Sequence, residues 1–178
     1  MNNQVLITYA SCTGSTAEVA VKIAKAFTDF GVPVDLHPMQ DVKDLTPYRA
    51  IVAGSAIQDR QWLPEAMQFL QNHRTALVQL PVATFTLCMT LAMKNGEKYR
   101  ADVMEWLAPV RHIVQPVSEG LFAGVLDIPK IPSFSARLKF RLSVLLGVWS
   151  EGDHRDWDVI NSWADELPAK ILVDQQGR

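Results

Sequence analysis

Six residues, Ser11, Cys12, Thr13, Gly14, Ser15 and Thr16, set four hydroxyls, a thiol and a glycine between the apolar run Val5, Leu6, Ile7 and a helix-forming stretch. An ordinary surface turn needs fewer hydroxyls. Where a strand runs straight into a helix, free N–H groups and the positive end of the helix dipole converge, which favours a phosphate. The hydroxyls add neutral donors, and Gly14 lets the backbone come close. A plainer reading makes Thr13 or Ser15 the N-cap of the helix, and capping is compatible with binding. Cys12 stands either as a small filler or as a redox-active thiol whose pKa the helix start lowers.

What is missing narrows the ligand. The stretch has neither the GxxxxGK[ST] lysine that reaches a triphosphate nor the GxGxxG of a dinucleotide site. A hydroxyl-rich loop without Lys or Arg suits a monophosphate dianion, and so favours a mononucleotide such as FMN. A formal net charge of -2 on 178 residues offers no broad field for nucleic acid. Cys12 and Cys88 lack metal-ligand spacing, and His37, His73, His112 and His154 are scattered, so no metal is expected; His154 is the one histidine to test. A disulfide between Cys12 and Cys88 would need an oxidising compartment. The first residues carry no basic region and too short an apolar stretch for a signal peptide or a span, which points to the cytoplasm.

The elements that must position this loop follow from periodicity. Apolar runs rich in β-branched residues recur at 5–10, 34–37, 50–56, 81–87 and 120–126, several of them nearly continuous, as parallel strands buried on both faces should be. Helical patterns fall between them at 16–30, 64–73, about 96–108 and 157–172. The first ends at Gly31 and Pro33, and Pro168 is expected to kink or shorten the last. Alternation of this kind predicts one α/β domain over 1–178, a three-layer sandwich around a parallel sheet. One stretch breaks it. Residues 127–156 intervene before the last helix, and within them Ile131, Phe134, Leu138, Leu142, Leu145 and Trp149 share a helical face, with Arg137 and Arg141 on the other.

The run Ser11 to Thr16 resembles the [TS]-x-T-G-x-T phosphate loop of the flavodoxin-like family, at that family's position after the first strand. The resemblance implies FMN, a five-stranded parallel sheet of order 2-1-3-4-5, and two further flavin-contacting loops. Their counterparts are the loop of Ser55, Ala56, Ile57 and Gln58 with Trp62 beyond it, and the loop of Thr86, Leu87, Cys88 and Met89. Within the family the chain is most similar to the menaquinone-dependent protoporphyrinogen IX oxidases of flavodoxin type, which also carry a long insert before a last helix resembling residues 156–167. That likeness implies an FMN-dependent oxidoreductase, with an apolar substrate such as protoporphyrinogen IX and a quinone as acceptor. The alternative is an electron carrier without its own substrate. Carriers usually show Gly-Asp-x-x-Tyr in the third loop and a strongly acidic surface, whereas Cys88, Met89 and Thr90 stand in that stretch here and the chain is nearly neutral.

Several readings stay open. Trp62 either covers the flavin or packs on Pro64 and Phe69 at a helix entrance. Asp59 and Arg60 either contact substrate or form a solvated surface pair. The insert over 131–149 is a lid, a contact with the inner face of the membrane, an interface in an oligomer, or a helix whose apolar face covers the sheet edge.

Overall fold

The computed structural model describes residues 4–173. Five parallel strands form its centre: β1 (Gln4–Ala10), β2 (Val34–Pro38), β3 (Tyr48–Gln58), then β5 (Val82–Cys88) and β6 (Ser118–Ala123), in the spatial order β2-β1-β3-β5-β6. Counting only these five, the order is the expected 2-1-3-4-5. A two-residue strand, β4 (Gln61–Trp62), folds back antiparallel on β3. Along β1 the side chains alternate, with Val5 and Ile7 in one core and Leu6 in the other, as the period of two demands.

Helices cover both faces. On one side lie α1 (Ser15–Asp29) and α7 (Trp157–Val173), whose Val19, Ile23, Phe27, Ile160, Leu167 and Ile171 are buried together. On the other lie α2 (Pro64–Asn72), α3 (Arg74–Leu77), α4 (Arg100–Trp106) and α5 (Ala108–Ile113), packed through Ala66, Leu70, Leu77 and Val110. At the end of α1, Gly31 turns left-handed at φ 84°, while Val32 N–H bonds Phe27 O at 3.0 Å and Gly31 N–H bonds Thr28 O at 2.9 Å. This double bond pattern closes the helix where the sequence stops it.

Three expectations need correction. The pattern at 96–108 is a short 3-10 turn, Gly96–Tyr99, followed by α4; because Pro109 has no N–H to continue α4, α5 starts anew at Ala108. The run 120–126 is also broken: β6 ends at Ala123, and after Gly124 comes β7 (Val125–Leu126), which pairs not with the sheet but with β8 (Gly152–Asp153). Pro168 does not shorten α7, which runs to Val173 because Leu167 and Ile171, on either side of it, are fully buried.

The insert contains α6 (Phe134–Leu145), and none of its residues is buried. The expected apolar face exists, yet it does not cover the sheet edge. Phe134, Leu138, Leu142 and Leu145 lie in solvent.

Candidate functional site

Register brings the three loops to one edge. Ala10 pairs with Ser55, Ser55 with Thr86, and Thr86 with Leu121, so the chain leaves β1, β3 and β5 at the same level across the sheet. From β1 the chain crosses first to β2 on one side and then to β3 on the other. That reversal makes the carboxyl end of β1 the crevice where open α/β sheets bind ligands.

At this crevice α1 starts without a side-chain cap. Gly14 is its N-cap, left-handed at φ 94°, so neither Thr13 nor Ser15 fills that role. Ser11 Oγ instead accepts from Gly14 N–H at 3.0 Å, which curls the loop back on itself. The amides of the helix's first turn keep no side-chain acceptor. Thr16 is fully buried, and among the described residues its Oγ1 has no hydrogen-bond partner. Leaving such a group unpaired costs about 1–3 kcal/mol, so an unpaired hydroxyl beside open amides fits an anion that the loop receives. A phosphate monoester matches this donor set: amides and hydroxyls, with Gly14 clearing the approach and no Cβ contact within 4 Å of it.

The sequence offers no cation in the loop, but the fold supplies one behind it. Arg155 donates from Nη1 to Ser15 O at 3.1 Å and from Nη2 to Glu18 at 2.7 Å, holds Asp153 through Nε at 2.9 Å and Nη2 at 2.7 Å, and lies 4.5 Å from the Trp157 ring centre. These bonds hold the guanidinium above its usual pKa and press Asp153 below the carboxylate range. Glu18 sits in the first turn of α1, where its charge would oppose an anion, and Arg155 offsets it. The 137 residues separating Arg155 from Glu18 hide this contact from local pattern reading.

The second loop is a tight hairpin. Gln58 pairs with Gln61 across Asp59 and Arg60, which take φ 50° and 63° in place of the usual glycine. Asp59 and Arg60 form no ion pair with each other. Arg60 lies 5.9 Å from the Trp106 ring instead. Ser55 is fully buried, accepts from Leu63 N–H at 3.1 Å and donates to Ala56 O at 2.9 Å. Ala56 and Ile57 are half-buried, and Gln58 is exposed. Gln58 Oε1 accepts from the Cys12 thiol at 3.9 Å, which joins this hairpin to the phosphate loop.

Trp62 is 1% exposed, and its Nε1 donates to Thr86 Oγ1 at 2.9 Å. It packs in the core with Leu63, Ala66 and Phe69 and ties β4 to β5, rather than lying open above the crevice. Thr86, Leu87 and Cys88 belong to β5 and are buried; exposure begins only at Met89. The third loop therefore starts later than the residue pattern suggests and runs through Met89–Ala92 and Gly96–Tyr99.

Both cysteines are free, Cys12 exposed and Cys88 buried. Desolvation, with Glu65 added, pushes the Cys12 thiol up, against the lowering expected from a helix start. Burial also raises Cys88. His154 is held inside the insert, its N–H on Gly124 O and its Nε2 2.7 Å from Ser150 O. A groove of about 640 Å³ lined by Arg74, Leu77, Pro81, His112 and Val117 opens at the opposite end of the sheet and contains none of the loop residues. Among the described residues no helix is long and apolar enough to cross a membrane.

The fold recurs among known proteins. The chain resembles a flavodoxin from the domain Archaea (17% identity, TM-score 0.54, 94% of this chain and 98% of that one). It also resembles oxidised Flavodoxin 2 from Bacillus cereus (20%, TM-score 0.55, 96% and 99%) and the flavodoxin of Streptococcus pneumoniae TIGR4 (18%, TM-score 0.57, 94% and 99%). At these identities the likeness shows the fold. A search of curated proteins returned no match. The family described as Flavodoxin domain matches residues 6–146, most of the chain. The match takes in most of β1, the other four parallel strands, the loop at Ser11 to Thr16 and α6, and on it the chain belongs to the flavodoxin family.

Proposed function

We propose that the chain binds FMN and works as an electron-transfer flavoprotein. One observation carries the reading: open first-turn amides and the unpaired Thr16 hydroxyl meet at the carboxyl end of β1, in line with the hairpin and the β5 loop. In this reading Ser11, Thr13, Ser15 and Thr16 surround the phosphate, and Gly14 and Cys12 shape the turn. Ala56, Ile57, Gln58 and Met89 border the ring from the two neighbouring loops, while Ser55, Trp62, Thr86, Leu87 and Cys88 hold those loops in place from behind. The bound flavin supplies the redox chemistry, accepting and releasing electrons at its ring. The chain's own residues bind, orient and exclude water.

FMN titration followed by flavin fluorescence tests the reading. FMN should bind with quenching, and riboflavin, which lacks the phosphate, should bind at least about a hundredfold more weakly, since charge-assisted bonds are worth roughly 1.5–3 kcal/mol each. Equal affinity for the two flavins would overturn the phosphate site.

A second reading rests on the exposed insert, which gives the chain an apolar surface a water-borne shuttle does not need. Here the protein oxidises an apolar substrate such as protoporphyrinogen IX and passes the electrons to a quinone. Turnover of that pair by the FMN-loaded protein favours the oxidoreductase. Electron exchange with a protein reductase, with no such turnover, favours the carrier.

A further inference from the structure

We infer that α6 is an interfacial helix that lays its outer face on an anionic lipid bilayer. The inference stands on the insert alone and goes beyond the flavin reading. At about 100° per residue, Phe134, Leu145, Leu138, Leu142 and Leu146 follow one another around roughly a third of the helix circumference. All five are at least half exposed, Leu145 at 86% and Phe134 at 79%. Arg137 and Arg141 border this stripe on one side, and Lys139 borders it on the other. Ala136, Phe140 and Val144 make the opposite, half-buried face, where Phe140 meets the Trp149 ring edge-on with centroids 6.2 Å apart.

An apolar stripe flanked on both sides by long cationic side chains matches a bilayer surface. The leucines and Phe134 enter the acyl boundary while the charged heads reach back to the phosphates. The charge is one-signed: residues 128–150 hold Lys130, Arg137, Lys139 and Arg141 and no Asp or Glu, in a chain whose net charge is -2. Lys130 is paired with Asp127. Among the described residues Arg137 bonds the neutral carbonyls of Ile131 and Pro132 and no carboxylate. A second copy docked on the same face would set these cations against their own kind. A bilayer containing acidic lipids meets both requirements together. Ser133, whose Oγ accepts from Ala136 N–H at 3.4 Å, caps the helix at its start. The ribbon of β7 and β8 closes the insert at its base.

Co-sedimentation of the full chain with vesicles tests the inference, using phosphatidylcholine alone and phosphatidylcholine mixed with phosphatidylglycerol. The wild type should partition more than tenfold better onto the mixed vesicles, each exposed cation contributing about fivefold, and raised salt should reduce the gain. The Lys139→Gln, Arg141→Gln variant should lose most of the preference for the acidic lipid. The Leu142→Asp, Leu145→Asp variant should leave both vesicle types. Far-ultraviolet circular dichroism and the melting midpoint, unchanged in both, separate these results from misfolding. Equal binding to the two vesicle types, or undiminished binding by the aspartate variant, overturns the inference. So does a concentration-dependent dimer that the aspartate variant dissolves, which would assign the face to a second copy. A chain that fails to bind FMN but still partitions leaves this inference standing and removes only the flavin reading.

Discussion

The two helices α1 and α6 are unfinished in opposite ways. Along its length α1 is satisfied, with Val19, Ala20, Ile23 and Phe27 fully buried, but at its start no side chain caps the amides and Thr16 Oγ1 has no partner. In α6 the start is capped by Ser133, while the length is unsatisfied, with no buried residue and a row of leucines in water. Unpaired polar groups beside a helix end match a compact anion; uncovered apolar area matches an extended apolar medium. The kind of deficit therefore indicates the kind of partner. It also predicts how each region responds to substitution, because stability is tied up in one and nearly absent from the other.

The largest effect is expected in the floor beneath the loops. A Cβ on Gly54 would meet the Phe85 ring at 2.0 Å in the centre of the sheet, where neither strand can yield. Gly54→Ala should cost about 3 kcal/mol or more, at the upper end of overpacking, and urea unfolding measures it. If this methyl proved harmless, the site's floor would be as forgiving as the insert, and the contrast between the regions would fail.

Next comes Arg155, the residue that joins the two regions. Its side chain is 5% exposed, although its partners Glu18 and Asp153 are largely solvated, at 58% and 43%, which discounts their pairing energy. Arg155→Met should cost about 1–2 kcal/mol at neutral pH, weaken FMN severalfold by freeing Glu18 beside the phosphate loop, and expose the insert to protease. The pH dependence has a definite sign. Arg155 lowers the folded pKa of Asp153, so the contribution is present above the unfolded carboxylate value, about 3.9, and is lost as pH falls through the folded value. The gap between wild type and variant should therefore narrow in acid. Arg155→Lys, which keeps the charge but not the forked geometry, should restore FMN affinity more than insert protection.

Thr16→Val sharpens the comparison at the loop itself. The change removes an unpaired buried hydroxyl and nearly keeps its shape, so the protein without ligand should be as stable as wild type or slightly more so. FMN affinity should fall about tenfold or more, as expected for one lost bond to a charged group. Opposite signs in the two measurements are the signature of a hydroxyl kept for a ligand. A loss of stability without a loss of affinity would make Thr16 an ordinary core residue.

How far the sequence reveals these regions follows from how local their causes are. The central strands β1, β3 and β5 are legible because burial on both faces makes each a nearly unbroken apolar run, and the phosphate loop because its donors lie within six consecutive residues. Strands β4, β7 and β8 have two residues each, too few for any period to register, so the bend after Gly124 passes for one long strand. Trp62 has two readings until the Thr86 hydroxyl is seen to hold its indole. Arg155 is illegible because its meaning is a contact with Ser15 and Glu18 that only the finished fold creates. The stripe on α6 is an intermediate case. Periodicity finds the face, but whether the domain covers it is a question of packing, which no local pattern holds.

The smallest stability effect is expected where the apolar character is most conspicuous. Leu145 is 86% exposed, so replacing it removes almost no buried area, and hydrophobic stabilisation scales with the area taken from water. Leu145→Asp also sets a carboxylate four residues after Arg141, a pairing that partly offsets the cost of an anion in the helix's last turn. The melting midpoint of the variant in solution should therefore match wild type, within about 0.5 kcal/mol of stability. In a core position the same substitution would unfold the domain. A leucine that folding does not use, set on the helix surface between Arg141 and Lys139, is then explained by something outside the folded chain. If Leu145→Asp instead destabilised the protein by more than about 2 kcal/mol, as a buried large-to-small change does, α6 would be packed in solution and its difference from α1 would disappear.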